Sequence, residues 1–190
     1  MKRVCITVVA ITLLAGIPAM VSAQAHIGLG VQLLDLGGSD FDGISAGLGV
    51  EGRVMFPVGR TAQLGGGLQY SSHGISGIDP NFNVLGFIGE GRYLFKSTTS
   101  KVTPYLGGRG GYVHASVSQG GNSVTANGYA IGATAGVQIE TASTMSFDLG
   151  LAIHTVHLGD AKANGVSQPG SSSSGTGLQF RVGVNFKMGR

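Results

Sequence analysis

The chain has 190 residues, a formal net charge of +3, only 11% charged residues and 35 glycines. A water-soluble domain usually has about a quarter of its residues charged and about 7% glycine, so this composition excludes an ordinary soluble globular surface. Lys2 and Arg3 lie in an N-terminal segment that we expect to be removed, which leaves a net charge of 3 − 2 = +1. That balance gives no reason to expect a nucleic-acid partner.

Residues 1–23 have the pattern of a secretory signal peptide. A basic start is followed by an almost wholly apolar run over 4–20 and by small residues over 21–23, where signal peptidase cleaves. We expect cleavage there and a single domain over 24–190; a membrane anchor that stays attached is the alternative. The one cysteine, Cys5, lies in this segment, so the exported chain has no disulfide or thiolate metal site.

Eight segments of the exported chain place an apolar residue at every second position, which is the pattern of a strand with one apolar face. No further stretch reaches the roughly 20 apolar residues of a transmembrane helix. Because only helices and closed barrels satisfy the backbone within hydrocarbon, the pattern predicts an all-β, eight-stranded, antiparallel up-and-down transmembrane β-barrel. The predicted strands are 25–34, 44–56, 61–72, 82–95, 102–116, 128–140, 145–157 and 178–188.

The predicted connections alternate in length. Those after the second, fourth and sixth strands are short, whereas the other four cover 35–43, 73–81, 117–127 and 158–177. Outer-membrane barrels have short periplasmic turns and longer extracellular loops, so we expect both chain termini on the periplasmic side. The Gly/Ser tract in 158–177 predicts a flexible loop.

Eight charged residues fall on the faces opposite the apolar rows. An arginine that faces lipid at mid-membrane costs about 2–4 kcal/mol, so we assign these faces to the barrel lumen. Four acids and four arginines in one interior predict pairing across it, because isolated buried charges are costly; which residues pair stays open. The predicted lumen charge network consists of Glu51, Arg53, Glu90, Arg92, Arg109, Glu140, Asp148 and Arg181.

Two interpretations of this network are possible, a structural plug or a gated ion path. Eight strands enclose an interior just wide enough for side chains to fill it, which favours the plug. Glycines on the same faces leave room for the long charged side chains. Tyr105 also has inward parity, which is compatible with a β-bulge near Pro104.

Two segments of the chain resemble strands of a known family. The segments 102–112 (VTPYLGGRGGY) and 180–186 (FRVGVNF) are similar to strands of the small outer-membrane β-barrel proteins of the OmpA and opacity types, often described as porin-family barrels. The resemblance covers residues 24–188. It implies a Gram-negative outer-membrane location, contact with membrane lipid and lipopolysaccharide, insertion by the barrel-assembly machinery and no single conserved activity. We expect a monomer without cofactors. Such chains commonly end on an aromatic residue, whereas here residues 187–190 follow Phe186.

Two other functions are weighed against a structural barrel, for which we expect no catalytic, cofactor-binding or metal-binding residue. A soluble lipocalin-like barrel that binds an apolar ligand would need far more surface charge than this chain has. A membrane-embedded enzyme similar to lipid A deacylases would need a nucleophile, a base and an orienting group. Its candidate residues are His154, Thr155, His157 and Asp160 near the end of the seventh strand, and His114 with Ser116 in the fifth.

Three clustered aspartates are candidates for a metal site: Asp35, Asp40 and Asp42. Carboxylate oxygens are the ligands that divalent cations prefer, but the spacing does not match a calcium-binding loop. A solvated loop is the favoured interpretation.

Overall fold

The computed structural model describes residues 24–119 and 122–188. The predicted signal peptide, residues 1–23, lies outside the described residues and stays a prediction. Within the described part of the chain, no helix is both long and apolar enough to cross a membrane.

The described residues form a closed, antiparallel β-barrel, so the predicted fold class is confirmed. Each of the eight barrel strands pairs with its neighbour in the chain, and the first and last strands close the sheet from Ala25↔Met188 to Gly37↔Thr176. A short hairpin, β8 (Lys162–Ala163) and β9 (Val166–Ser167), lies in the last connection. The barrel strands are β1 (Ala25–Gly37), β2 (Gly47–Val58), β3 (Ala62–Ile75), β4 (Ile78–Leu94), β5 (Val102–Gln119), β6 (Asn122–Ala142), β7 (Met145–Leu158) and β10 (Ser173–Met188).

The alternation of side chains along each strand separates an apolar outer face from a largely polar interior. Leu48 is 73% exposed and Ile131 is 63% exposed on the outside, whereas Gln32 and Arg181 inside are 2% exposed. The apolar rows identified in the sequence therefore point outward. A surface of this kind is stable against hydrocarbon and costly against water.

The two ends of the barrel differ. The terminal end carries the first and last described residues, Gln24 and Met188, and the tight turns between strands, such as the one at Gly59, whose φ of 64° favours glycine. The loop end carries the 38–46 connection and the β8–β9 hairpin.

Two of the predicted long loops are strands for most of their length. β3 and β4 pair as far as Ile75↔Ile78, and β5 and β6 pair as far as Gln119↔Asn122, so the predicted loops over 73–81 and 117–127 are wrong in extent. The pairing continues because it satisfies backbone groups that an open loop would leave to solvent.

The predicted flexible loop over 158–177 is also largely ordered by backbone contacts. Its β8–β9 hairpin turns at Asn164-Gly165, both with positive φ, which is the sequence preference of a tight hairpin turn. The hairpin adds to the edge of β6 through Val124↔Ala163. The amide of Gly170 donates to Asp160 Oδ1 over 3.1 Å.

Two groups of side chains fill the interior, one above the other. The apolar layer lies toward the loop end and the charged layer lies between it and the terminal end. The apolar layer consists of Leu34, Leu36, Phe41, Val84, Val113, Ala115, Ala130, Val156 and Leu158. The charged layer consists of Glu51, Arg53, Glu90, Arg92, Tyr105, Arg109, Asp148 and Arg181.

Candidate functional site

The charged layer brings together seven of the eight predicted lumen charges, from five strands. They are Glu51 and Arg53 of β2, Glu90 and Arg92 of β4, Arg109 of β5, Asp148 of β7 and Arg181 of β10. Each is at most 8% exposed. Each occupies an inward position of its strand, so the alternation of the strands alone directs these side chains into one region.

Asp148 lies at the centre of the layer and is fully buried. Its Oδ2 lies 2.7 Å from Nη1 of Arg92 and 3.1 Å from Nη2 of Arg53. Its Oδ1 lies 3.5 Å from Nε of Arg181 and accepts a hydrogen bond of 3.1 Å from the Tyr105 hydroxyl. One carboxylate therefore compensates three guanidinium groups, which makes Asp148 the charge whose loss would leave most partners unpaired.

The two glutamates contact the same three arginines from other sides. Glu90 Oε1 lies 2.6 Å from Nε of Arg92, and its Oε2 lies 3.2 Å from Nη1 of Arg181. Glu51 Oε1 lies 3.1 Å from both Arg53 and Arg181. Since every carboxylate contacts at least two arginines, the layer is a network and not a set of separate pairs.

Arg109 stands at the edge of the network that faces the apolar layer. Its guanidinium donates to the side-chain oxygens of Gln179 at 2.6 Å and Gln69 at 2.9 Å. Its nearest carboxylate oxygen, from Glu51, lies 3.5 Å away. Gln179 in turn donates to Gln32. Neutral amides thus carry much of the hydrogen bonding around the outermost arginine.

Glu140 lies outside the charged layer, so its place in the predicted lumen network is wrong. It lies near the terminal end of β6, where the pairing with β7 shifts register between Glu140 and Ala142. Its carboxylate is 54% exposed and lies 3.0 Å from Nζ of Lys187. The interior charges described are therefore four arginines and three carboxylates, a formal sum of 4 − 3 = +1, and not the equal numbers expected.

Tyr105 also belongs to the network, a role that was not predicted from the sequence. Its hydroxyl accepts from Nη2 of Arg181 at 3.0 Å and donates to Asp148, and the Arg92 guanidinium lies 4.3 Å from its ring centre. β5 pairs regularly on both sides of Tyr105, so the β-bulge considered near Pro104 is wrong. The alternation along the strand already places Tyr105 on the inward face, and a regular strand is enough to explain that position.

Glycines make the room that Tyr105 occupies. A Cβ atom at Gly136 would lie 2.5 Å from the Tyr105 hydroxyl, and one at Gly150 would lie 2.6 Å from it. Side chains at these positions would displace the ring that bridges Arg92, Arg181 and Asp148.

The histidines considered for an enzyme are dispersed. His154 points into the barrel and is 5% exposed. His157 faces outward, with Nδ1 2.7 Å from Ser174 Oγ. Nδ1 of His114 lies 2.7 Å from Asn127 Oδ1, so this ring nitrogen contacts an amide and not Ser116.

The remaining requirement for catalysis is a group that orients the base. Asp160 accepts from the Gly170 amide, and the hydrogen bonds of the described residues connect no carboxylate to His157 or His114. Of the three histidines considered, His157 is the one whose ring contacts a serine among the described residues, and no carboxylate orients it.

The aspartates considered for a metal site do not converge. Asp40 Oδ2 accepts a hydrogen bond of 2.8 Å from the Ser174 amide, which fixes the 38–46 connection to β10. Among the described residues, no group of three or more His, Cys, Asp or Glu side chains is placed to hold a metal ion.

Comparisons with known proteins show the fold. No protein family matches the chain by its family model, and no curated protein matches it in sequence. Neisserial surface protein A is similar in structure, with a TM-score of 0.67 and 18% identity, over 86% of this chain and 97% of that one. The attachment invasion locus protein Ail of Yersinia pestis gives 0.56 and 13%, over 87% and 99%.

A major outer membrane protein from Thermus thermophilus is a third match, with a TM-score of 0.51 and 11% identity, over 86% of this chain and 99% of that one. At these identities the likeness concerns the fold alone. It is the fold of small outer-membrane β-barrels, as the resemblance in sequence implied.

Proposed function

We propose that this chain is a Gram-negative outer-membrane protein that acts as a closed structural barrel and presents its loop end at the cell surface, without catalysis. The observation that carries the proposal is the filled interior, in which the charged layer and the apolar layer follow one another along the barrel. The voids inside the barrel, bordered by Glu51, by Arg109 with His154 and by the inner side of Phe41, each measure about 10 Å³. Such a void holds at most one water molecule, which leaves no wide path for a solute. A larger groove of about 780 Å³ lies on the outer face beside the exposed Leu64 and Ile131.

The distribution of apolar surface supports a membrane location. Leu29, Val31, Leu48 and Phe87 are each more than half exposed on the outside, while the charged side chains of the barrel wall turn inward. This arrangement is the reverse of the soluble lipocalin-like alternative, which would bury the apolar rows. As part of the proposal, the barrel is a monomer, contacts membrane lipid and lipopolysaccharide, and is inserted by the barrel-assembly machinery.

Conductance and fractionation test the closed-barrel proposal together. The native protein should be recovered in the outer-membrane fraction, require detergent for extraction and migrate faster on a gel before heating than after. In planar bilayers the wild type should show little conductance, and Arg92→Ala should show more, because the plug is loosened. A large, stable wild-type conductance, or recovery of the native protein in the soluble periplasm, would contradict the proposal.

The orientation is tested separately by trypsin added to intact cells. Lys162 lies exposed in the β8–β9 hairpin at the loop end, whereas Lys96 and Lys101 lie in the connection between β4 and β5 at the terminal end. Cleavage should occur after Lys162 and should be lost in Lys162→Gln. Cleavage after Lys96 or Lys101 in intact cells would reverse the orientation.

One contact favours a second candidate, a lipid-modifying enzyme. Ser174 and His157 are hydrogen-bonded on the outer face near the loop end, where lipid acyl chains would be within reach. If this alternative holds, cells that express the wild type should contain lipid A with fewer acyl chains by mass spectrometry, and Ser174→Ala should abolish the change. Identical lipid A in both strains supports the structural barrel.

A further inference from the structure

Two voids lie on either side of Phe41 in the apolar layer. The outer void opens at the mouth of the loop end and measures about 140 Å³. The inner void measures about 10 Å³. Four residues border both voids and form the partition between them: Phe41, Phe82, Ala115 and Leu158. A closed apolar cavity of about 150 Å³ accommodates benzene, so the outer void has the size of one aromatic ring.

His154 borders the inner void and has an unsatisfied polar atom. Its Nδ1 is buried, and no hydrogen-bond partner for it is found among the described residues. His73, also buried toward the loop end, differs: its Nδ1 lies 3.1 Å from the Ser45 carbonyl and its Nε2 lies 3.0 Å from Ser71 Oγ. Buried polar groups usually have partners, so His154 marks a position where a hydrogen bond remains to be made.

The surrounding charges select an uncharged ligand. Asp40 borders the outer void and disfavours an anion at the mouth. Arg109 borders the space on the inner side of His154 and disfavours a cation. The aliphatic walls penalise any ion, because they cannot replace its hydration.

The segment that carries Phe41 is anchored to β10, while the Phe41 side chain separates the two voids. Phe41 ends a short 3-10 turn, Ser39–Phe41, between Gly38 and Gly43, whose φ angles of 117° and 85° favour glycine. The hydrogen bond from the Ser174 amide to Asp40 fixes this turn to β10. The Phe41 ring packs edge-on against Phe82, with centres 6.5 Å apart, a geometry that a second aromatic ring could replace.

We propose that the apolar layer is a binding site for a small uncharged aromatic molecule that carries one hydroxyl or N–H group. The ligand ring takes the place of the Phe41 side chain against Phe82, and the polar group hydrogen-bonds to Nδ1 of His154. This site is independent of the proposed function, since it requires only the folded barrel and not a particular membrane or orientation.

Three probes of similar size test the site: benzyl alcohol, benzoate and benzylammonium. Methyl NMR of the full barrel in lipid nanodiscs follows Val113 and Val156, which border the inner void, and the outward Val31 and Val50 as controls for partitioning into lipid. Benzyl alcohol should shift the inward methyl signals saturably, and the two charged probes should not. Shifts that do not saturate, or that are equal on inward and outward methyls, would overturn the proposal.

Variants then locate the polar contact. His154→Leu should weaken benzyl alcohol binding at least tenfold and leave toluene binding unchanged. Ala115→Leu, which fills the partition between the voids, should abolish binding of both, and the outward Ala133→Leu should change neither. Folding of each variant is verified by heat-modifiable gel mobility. Should His154→Leu fail to fold, Ala115→Leu decides: unchanged binding in that variant contradicts the site.

Discussion

The charged layer and the apolar layer are two different ways of filling the same barrel. In the charged layer, directional ion pairs and hydrogen bonds fix the positions of the side chains. Asp148 contacts three arginines at 2.7 to 3.5 Å, so a small displacement of its carboxylate weakens several contacts. In the apolar layer, contact is non-directional, and Phe41 enters from a connection at the loop end. The difference indicates that the charged layer determines whether the barrel is stable, while the apolar layer has room to change and to bind.

The largest expected effect is at Asp148. Asp148→Asn keeps the volume and removes the charge that Arg53, Arg92 and Arg181 share. We expect the free energy of unfolding to fall by about 3–5 kcal/mol, because buried positive charges lose their partner. Reversible urea unfolding in lipid vesicles, followed by circular dichroism, measures this value.

A double variant checks the cause of that loss. Asp148→Asn combined with Arg92→Met should recover part of the stability, since one uncompensated charge is removed with its partner. If the two losses simply add, the contacts of Asp148 with Arg92 are not coupled and the network interpretation is wrong.

A smaller and less specific loss is expected in the apolar layer. Leu158→Ala removes a buried side chain that is 4% exposed, and we expect a loss of about 2–4 kcal/mol from transfer and cavity effects. Leu158→Met should cost less than about 1.5 kcal/mol, because volume-conserving changes are tolerated. An equally large loss for both variants would show that this layer also depends on exact shape.

A still smaller loss of stability is expected from crowding Tyr105. Gly150→Ala places a Cβ 2.6 Å from the Tyr105 hydroxyl and 3.0 Å from Nη2 of Arg181, and overpacking of this kind costs about 1–3 kcal/mol. Gly52→Ala is the matched control on the outer face, where the nearest atom is 3.7 Å away. Its midpoint of unfolding should stay close to that of the wild type, whereas a comparable loss would point to the strand backbone and not to the ring.

The smallest effect is expected at Glu140. Its partner Lys187 is 3.0 Å away, but the pair is partly exposed at the terminal end. Exposed pairs contribute about 0–1 kcal/mol, so Glu140→Ala should barely change the unfolding midpoint. If Glu140→Ala lowered the free energy of unfolding as much as Asp148→Asn, Glu140 would be as important for stability as the buried charges.

Much of the fold could be predicted from the sequence because the alternation of residues is local. Parity alone placed Arg92 and Asp148 on inward faces. It could not pair them, since they are 56 residues apart and the pairing depends on the closed barrel. Parity also could not exclude Glu140, which has the correct alternation but lies where the strand reaches the barrel end.

The apolar layer was present in the sequence but was not recognised. Along β7 the inward side chains change from Asp148 through His154 to Val156 and Leu158 on one face, so the lumen face becomes apolar toward the loop end. The positions of the charges alone predict a single polar interior along the whole face, because they carry no information on where that face becomes apolar. Alternation could not predict that Phe41 packs in the apolar layer, because Phe41 lies in the connection between β1 and β2 and not in a strand.

The last strand has a consequence for how the barrel assembles. Arg181 of β10 bonds to Glu51 across 130 residues of chain, and Arg53 bonds to Asn185 across 132. These contacts give the protein a high contact order, which slows folding because the entropy of closing such long loops is lost before the contacts form. The interior charges must therefore stay hydrated until β10 joins β1, and closure of the barrel and ordering of its interior become one cooperative event.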